Sequence, residues 1–399
     1  MKLLVSLLLT AAVSAAPMTC LAVNRQAQSA TAPIYVIAND DNNVMQNSVS
    51  FYLATDTQQG PTLVLQKTLE VGGLGIAGGF FGTPRVALLP DPSGQCVYAA
   101  DAGTRNIAAI NLPTQQLVGN YAGAPKDNGS TNGIGLVLTP NYLYAGFTAS
   151  NTIGVFTVQS GCQLGFLGHV TVAGLNGGFI GGMALHGNLL VVAYGDGSIE
   201  SFNIAGGLPV SNNDAQNSAG FASAYFPESV DITQDGHFAI FGDAAIPTTV
   251  EVSDISTGRL TPTVQYSLGL PTNAVGPGLN SASVRLSPDQ SLLYIGNSQS
   301  GHITAAFFDR TTGKVTPGCA SARLNGFYNP WSYIGSLATR DTTGTGGVLY
   351  VAEFGSSLGI VNVTSNGIAC SLTESAASPV GDDASPGLLS IQVFPPRPF

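Results

Sequence analysis

Seven times along this chain a short apolar run ends at a small, polar or acidic residue and turns. The copies are IYVIAND from Ile34, VYAAD from Val97, LYAGF from Leu143, LVVAYGD from Leu190, FAIFGD from Phe238, LYIGNS from Leu293 and LYVAEF from Leu349, spaced 46 to 63 residues apart. A second alternating run follows, as in NIAAINL (Asn106–Leu112), TIGVFTV (Thr152–Val158), SIESFNI (Ser198–Ile204) and HITAAFF (His302–Phe308). The breaks between them (Ala102-Gly103-Thr104, Asp196-Gly197, Gly355-Ser356-Ser357) have the small and glycine residues that tight hairpin turns require. A hairpin cannot bury both of its own faces. A unit of this length has room for four strands, and neighbouring units then cover each other's faces, which is the period of a β-propeller.

Before most copies lies another short apolar segment, for example Val86–Leu89, Ser229–Thr233 and Ser283–Ser287, which supplies the innermost strand a. The repeated runs are then strands b and c, and segments such as Leu260–Leu268 supply d. The first copy breaks the rule, because nothing strand-like precedes Ile34 after the leading segment. A lone strand-like run, Leu388–Phe394, is left over after the seventh copy. Placed in the vacancy it closes the ring and removes a free sheet edge. The expected fold is all-β: one seven-bladed β-propeller of four-stranded antiparallel blades over residues 34–394, with the C-terminal strand joining blade 1.

Met1-Lys2, the apolar run Leu3–Ala16 and the small residues that end it have the layout of a secretory signal, too short to span a bilayer. Residues 1–22 are therefore expected to be an export signal and leader, with cleavage after Ala15, Ala16 or Ala22 all compatible. Residues 23–33 form a linker and 395–399 a tail. Pro17-Met18-Thr19 is a poor lipoprotein box, so anchoring through Cys20 is the lesser reading. A secreted or periplasmic location follows. Four cysteines remain (Cys96, Cys162, Cys319 and Cys370), none in a Cys-x-x-Cys pair, so two disulfides with three possible connectivities are expected. If neighbouring blades are stapled, the pairs are Cys96–Cys162 and Cys319–Cys370; four buried free thiols are the other reading. Charged residues make up only 9% of the chain and its net charge is −10, which argues against nucleic acid and anionic membranes as partners. No later apolar stretch is long enough for a transmembrane helix, and a monomer is expected.

In a propeller, the ends of the b strands and the d–a loops share one mouth of the central channel. That geometry gathers Asn39-Asp40, Asp101, Phe147, Asp196, Asp243, Asn297 and Glu353 from the b ends, and Arg85, Glu228 and Trp331 from the loops. Such a ring suits the hydroxyls of a small molecule or glycan, or a protein partner. Asp101, Asp243 and Glu353 are the candidates for holding Ca²⁺ or Mg²⁺. Against this stands the ordinary use of Asp and Asn in turns, where they bond to nearby backbone. Trp331 sits in NGFYNPWSY (Asn325–Tyr333), readable as a stacking platform or as a plug between blades. The four histidines are scattered, and His237 and His302 read as solvated turn residues. Gly355-x-Ser357-x-Gly359 lacks the helix that a nucleophile elbow needs. Gly73-x-Gly75-x-x-Gly78 likewise leads into no helix. Asn128-Gly-Ser130 and Asn362-Val-Thr364 are glycosylation acceptors in a host that glycosylates.

The stretch SVRLSPDQSLLYIGNSQSGHITAAFFDRTTGKV (Ser283–Val315) resembles the repeat of the lactonase family of seven-bladed propellers, which includes 6-phosphogluconolactonase and carboxymuconate-cyclising enzymes. Ser287-Pro288-Asp289, Leu293-Tyr294, Asn297 and Thr312-Gly313-Lys314 carry the likeness, and most of that motif is structural. The resemblance implies catalytic polar groups in a "PRH … NE" blade and an "NRG" blade. On this chain Pro227, Glu228 and Ser229 fall on the first triplet, Asp243-Ala244 on the Asn-Glu pair and Asn297-Ser298 on the Asn-Arg. The imidazole, carboxylate and guanidinium are absent from those positions, although lactone chemistry needs a base and a group to stabilise the oxyanion. Two expectations follow: a non-catalytic scaffold that binds a small molecule, glycan or protein, or a divergent, metal-assisted lactonase.

Overall fold

The computed structural model describes residues 33–57, 60–76, 88–91, 93–123, 133–218, 227–243, 249–268, 280–298, 301–319, 322–325, 334–342, 346–353, 357–381 and 390–394. Their strands form seven antiparallel sheets, each built on a path of four strands that are consecutive in the chain in every sheet but the first. Blade 2 runs Leu88–Pro90, Cys96–Asp101, Asn106–Asn111, Gln116–Ala122. Blade 3 follows with Ile134–Leu138, Tyr142–Phe147, Thr152–Val158, Leu164–Thr171, and blade 4 with Ile180–His186, Leu189–Tyr194, Ser198–Ala205, Leu208–Ser211. Blade 5 is Pro227–Ile232, Phe238–Asp243, Thr249–Asp254, Val264–Ser267. Blade 6 is Asn280–Leu286, Leu292–Ser298, His302–Asp309, Lys314–Pro317, and blade 7 is Ile334–Thr342, Gly346–Glu353, Ser357–Ser365, Cys370–Glu374.

Blade 1 is assembled from both ends of the chain. Ser390–Phe394 pairs with Ile34–Asn39 in the register Ile37↔Gln392, and Ser48–Thr57 and Gly60–Glu70 complete the sheet. The innermost strands touch one another in sequence round the whole ring. The expected propeller and its closure are what the structure shows, with boundaries shifted by a few residues: the inner strand of blade 5 starts at Pro227 and its outer strand is Val264–Ser267.

The core is not one mass. It divides into seven clusters, one at each seam between adjacent blades. This explains the repeat. A b strand is covered on both faces, so Cys96–Asp101 is buried throughout, and alternate residues serve opposite seams. Val97 and Ala99 pack towards blade 1, while Tyr98 and Ala100 pack towards blade 3. The recurring tyrosines Tyr98, Tyr144, Tyr294 and Tyr350 are among the largest wholly buried side chains. Each large apolar side chain so buried contributes about 1.5–3 kcal/mol. Outer strands, by contrast, are half exposed, as in Gly60–Glu70.

The Ser-Pro-Asp motif is a turn between strands a and b. The Ser287 hydroxyl donates to Asp289 Oδ1 at 2.6 Å and accepts Leu292 N–H at 3.0 Å. In blade 5, Thr233 and Asp235 repeat the arrangement, with Thr233 donating to Asp235 at 2.7 Å. There Gly236 takes φ +71°, and its bare backbone lies against the His186 ring of blade 4.

Two disulfides join neighbouring blades. Cys96–Cys162 links blades 2 and 3 with Cα atoms 5.5 Å apart, and Cys319–Cys370 links blades 6 and 7 at 4.5 Å. No helix among the described residues is long and apolar enough to cross a membrane.

Candidate functional site

Strand pairing sets which groups share a face. In blade 6, Ser281 at the start of the inner strand pairs with Asn297 at the end of b, and Asn297 pairs with His302 at the start of c. The b–c turns and d–a loops therefore emerge together, as the sequence argument required. In blades 4 to 7 the inner strand carries a bulge at this same level, leaving Gly181, Glu228, Ala282 and Gly335 as the extra residue. Bulges re-aim the chain where a sheet ends.

The described b-end groups are held within or between blades. Asp101 shares the parity of Val97 and Ala99, so it faces blade 1. It is wholly buried, accepting Asn47 Nδ2–H on Oδ1 at 2.9 Å and Asn120 Nδ2–H on Oδ2 at 2.5 Å. Burial pushes its carboxyl up to about 6, against the pull of those two amides. Asn39 faces the same seam from blade 1, donating to Ala100 O at 2.9 Å and accepting from Asn47 at 2.8 Å. Asp40 accepts the Ser48 and Ser50 hydroxyls at 2.6 and 2.8 Å. Asn297 is wholly buried and donates to His302 O and Thr304 Oγ1.

Asp196 is a turn residue of a different kind. Its two oxygens accept the Ser198 hydroxyl and N–H, Asn176 N–H and Gly178 N–H, at 2.5 to 3.1 Å. Burial raises its carboxyl, but these four donors together outweigh that and hold it below the usual range. Gly174 and Gly178 leave room for it, since a Cβ on either would collide with the carboxylate.

Glu353 differs from both. It is 3% exposed, accepts the Ser357 hydroxyl on Oε2 at 2.6 Å and, among the described residues, takes no hydrogen bond on Oε1. Burial is the main reason its carboxyl is pushed up to about 7, and the Glu374 carboxylate adds to the shift.

The remaining candidates are placed less fully. Glu228 and Asp243 are located by their backbone only: Pro227 pairs with Asp243, and Glu228 is the bulged residue beside it. Arg85 and Trp331 lie outside the described residues, as does Asn128. His302, expected in a solvated turn, is instead wholly buried, because it is the first residue of strand c and is covered as that strand is. The structure thus brings Asp101 together with Asn39, Asn47 and Asn120 at the seam of blades 1 and 2, and puts Glu353 at the seam of blades 6 and 7. Asp101 meets amide donors on both oxygens, so its acceptor sites are already taken. It does not fit a cation shared with Glu353. Among the described residues no three His, Cys, Asp or Glu side chains are placed to hold a metal ion.

Sequence reasoning passed over Asn47, Asn120 and Glu374. The available signal was parity: a polar side chain two residues beyond Ala99 must enter the seam and needs a partner there. It also passed over a cleft of about 520 Å³ on the opposite face, between blades 3 and 4, bordered by Leu138, Pro140, Tyr142, Leu185 and Ile204.

No family model matches the sequence, and no curated protein matches it. Solved structures do match the fold. A "putative 6-phosphogluconolactonase" from Bacteroides fragilis superposes with a TM-score of 0.67 at 15% identity, covering 91% of this chain and 99% of that one. A second protein so described, from Bacteroides uniformis, gives 0.66 at 13% identity, covering 90% and 99%. A protein from Lactobacillus plantarum gives 0.63 at 15%, again covering 90% and 99%. At such identities the likeness is one of architecture alone: this chain has the seven-bladed propeller fold of those structures.

Proposed function

We propose that this chain is an exported, non-catalytic propeller that binds a small molecule, glycan or protein on the face of its b–c turns and d–a loops. The observation that carries this reading is how the described polar groups at the family's catalytic positions are used. Ser229, where the resemblance places a histidine, accepts Val284 N–H at 2.8 Å, tying the inner strands of blades 5 and 6. Asn297, in the Asn-Arg position, is committed within its own blade. A hydroxyl and an amide so engaged supply no base and no cation for an oxyanion. The two disulfides support export, since such bonds persist in oxidising compartments.

The test is a screen of the purified protein against a panel of lactones, together with thermal unfolding in the presence of glycans and sugar acids. Ligand-dependent midpoints without turnover are expected, because a ligand bound only to the native state raises the midpoint by mass action. Efficient hydrolysis of any lactone sinks the reading. It would leave the competing one, a divergent lactonase drawing on Ca²⁺ or Mg²⁺. That alternative requires Asp243→Ala or Glu353→Ala to abolish turnover and metal-dependent stabilisation together.

A further inference from the structure

Glu353 is the last residue of strand b in blade 7, and by parity with Leu349 and Val351 it points at blade 6. It is almost wholly buried, yet among the described residues one carboxyl oxygen has no donor. Buried acceptors of this kind are rare because desolvation is costly, and most so for an ionised group. Among the described residues its surroundings offer it nothing cationic. From strand c come the Ser357 hydroxyl and the bare backbone of Gly359, where a Cβ would sit 2.8 Å from Oε1. From blade 6 comes Leu324, which reaches the same spot. The outer part of blade 7 supplies Glu374, whose oxygens are already bonded by Asn325 N–H at 2.7 Å and the Ser378 hydroxyl at 2.6 Å. His302 of blade 6 lies on the face of its strand opposite Ile303, and it is Ile303 that enters the seam with blade 7. Among the described residues Glu353 has no ion pair. A charged carboxylate there meets a second carboxylate, an apolar wall and a single neutral hydroxyl donor.

We propose that the seam between blades 6 and 7 is a proton-dependent joint, docked while Glu353 is the neutral acid and loosened when that carboxyl ionises. The sign follows from linkage. A carboxyl that holds its proton more tightly when docked than when exposed stabilises the docked state fully below its exposed value. That stabilisation is lost as pH rises through the docked value. With the limits at 4.5 and about 7, opening of the seam steepens up to about tenfold per pH unit between them and levels off above. Neighbouring blades and the disulfide Cys319–Cys370 keep the two sheets tethered, so the change is local rather than global. The joint stands whether or not the face it borders binds a ligand.

The test is hydrogen exchange on the full chain between pH 4.5 and 8, corrected for the intrinsic base-catalysed rate. Amides of Gly346–Glu353 and Ser357–Ser365 should lose protection across that range, while those of Leu189–Tyr194 in blade 4 should not. Glu353→Gln should flatten the loss in blade 7. Glu374→Gln, which removes the facing charge, should move the transition to lower pH. If Glu353→Gln fails to fold, the wild-type profile and the Glu374→Gln shift still decide. Equal pH dependence in blades 4 and 7, or a Glu353→Gln profile that matches wild type, overturns the proposal.

Discussion

Four polar residues at equivalent strand ends meet four different fates. Asp196 is saturated by donors in its turn, Asn297 is tied into its own blade, Asp101 enters a network with blade 1, and Glu353 is left half-satisfied. The sequence marks all four as special, but it does not separate them, because each fate depends on partners far along the chain. Asn47 lies 54 residues from Asp101. Parity was legible, and it says that Asp101 enters a seam; what waits there was not. Asp101 gives a prediction at this scale. Its carboxyl rises from 3.8 to about 6 on folding, so the docked neutral form stabilises the protein below 3.8, and that share is lost as pH climbs through about 6. The loss is on the order of 3 kcal/mol. Asp101→Asn should remove this slope. At pH 4.5 it should also cost about 1–3 kcal/mol, because one of the two amide donors then faces another donor. Urea unfolding at pH 4.5 and 7.5 measures both, with the gap to wild type narrowing at the higher pH.

At the scale of the element, the strand that closes the ring matters most. Ser390–Phe394 is short, but Ile391 is wholly buried in the seam between blades 7 and 1. Ile391→Ala should cost about 2–5 kcal/mol, the usual range for emptying such a site. Deleting residues 388–399 should cost more and strip hydrogen-exchange protection from Ile34–Asn39, which would regain a free edge. Retained protection in the truncated chain would mean that blade 1 does not need its inner strand. This closure was legible in the sequence, because it rests on arithmetic: one strand missing at the start and one left over at the end. The bulges of blades 4 to 7 were not, since a single extra residue changes no local pattern that a period of two reveals.

For the whole molecule, seven seams with no central mass make the ring one cooperative unit. Thermal unfolding of the full chain should show a single transition. The staples act on that unit by restricting the unfolded chain: the pair Cys96–Cys162 spans 66 residues, and Cys319–Cys370 spans 51. Replacing either pair by serines should lower stability by up to about 4 kcal/mol on loop-entropy grounds, as read by urea unfolding. The net charge of −10 predicts no retardation of DNA at physiological salt and no binding to phosphatidylserine vesicles. Closure by the last strand also has a consequence in time. Ile34 to Asn39 is made early, and its inner neighbour Ser390–Phe394 comes some 350 residues later. At roughly 5–20 residues per second, that delay is on the order of 20–70 s. Throughout it the nascent chain carries an unpaired β-edge in its first blade, open to chaperones or to a strand from another ribosome's product. A chain whose synthesis stops short never hides that edge, so the ring carries in its first blade a record of whether translation reached the last strand.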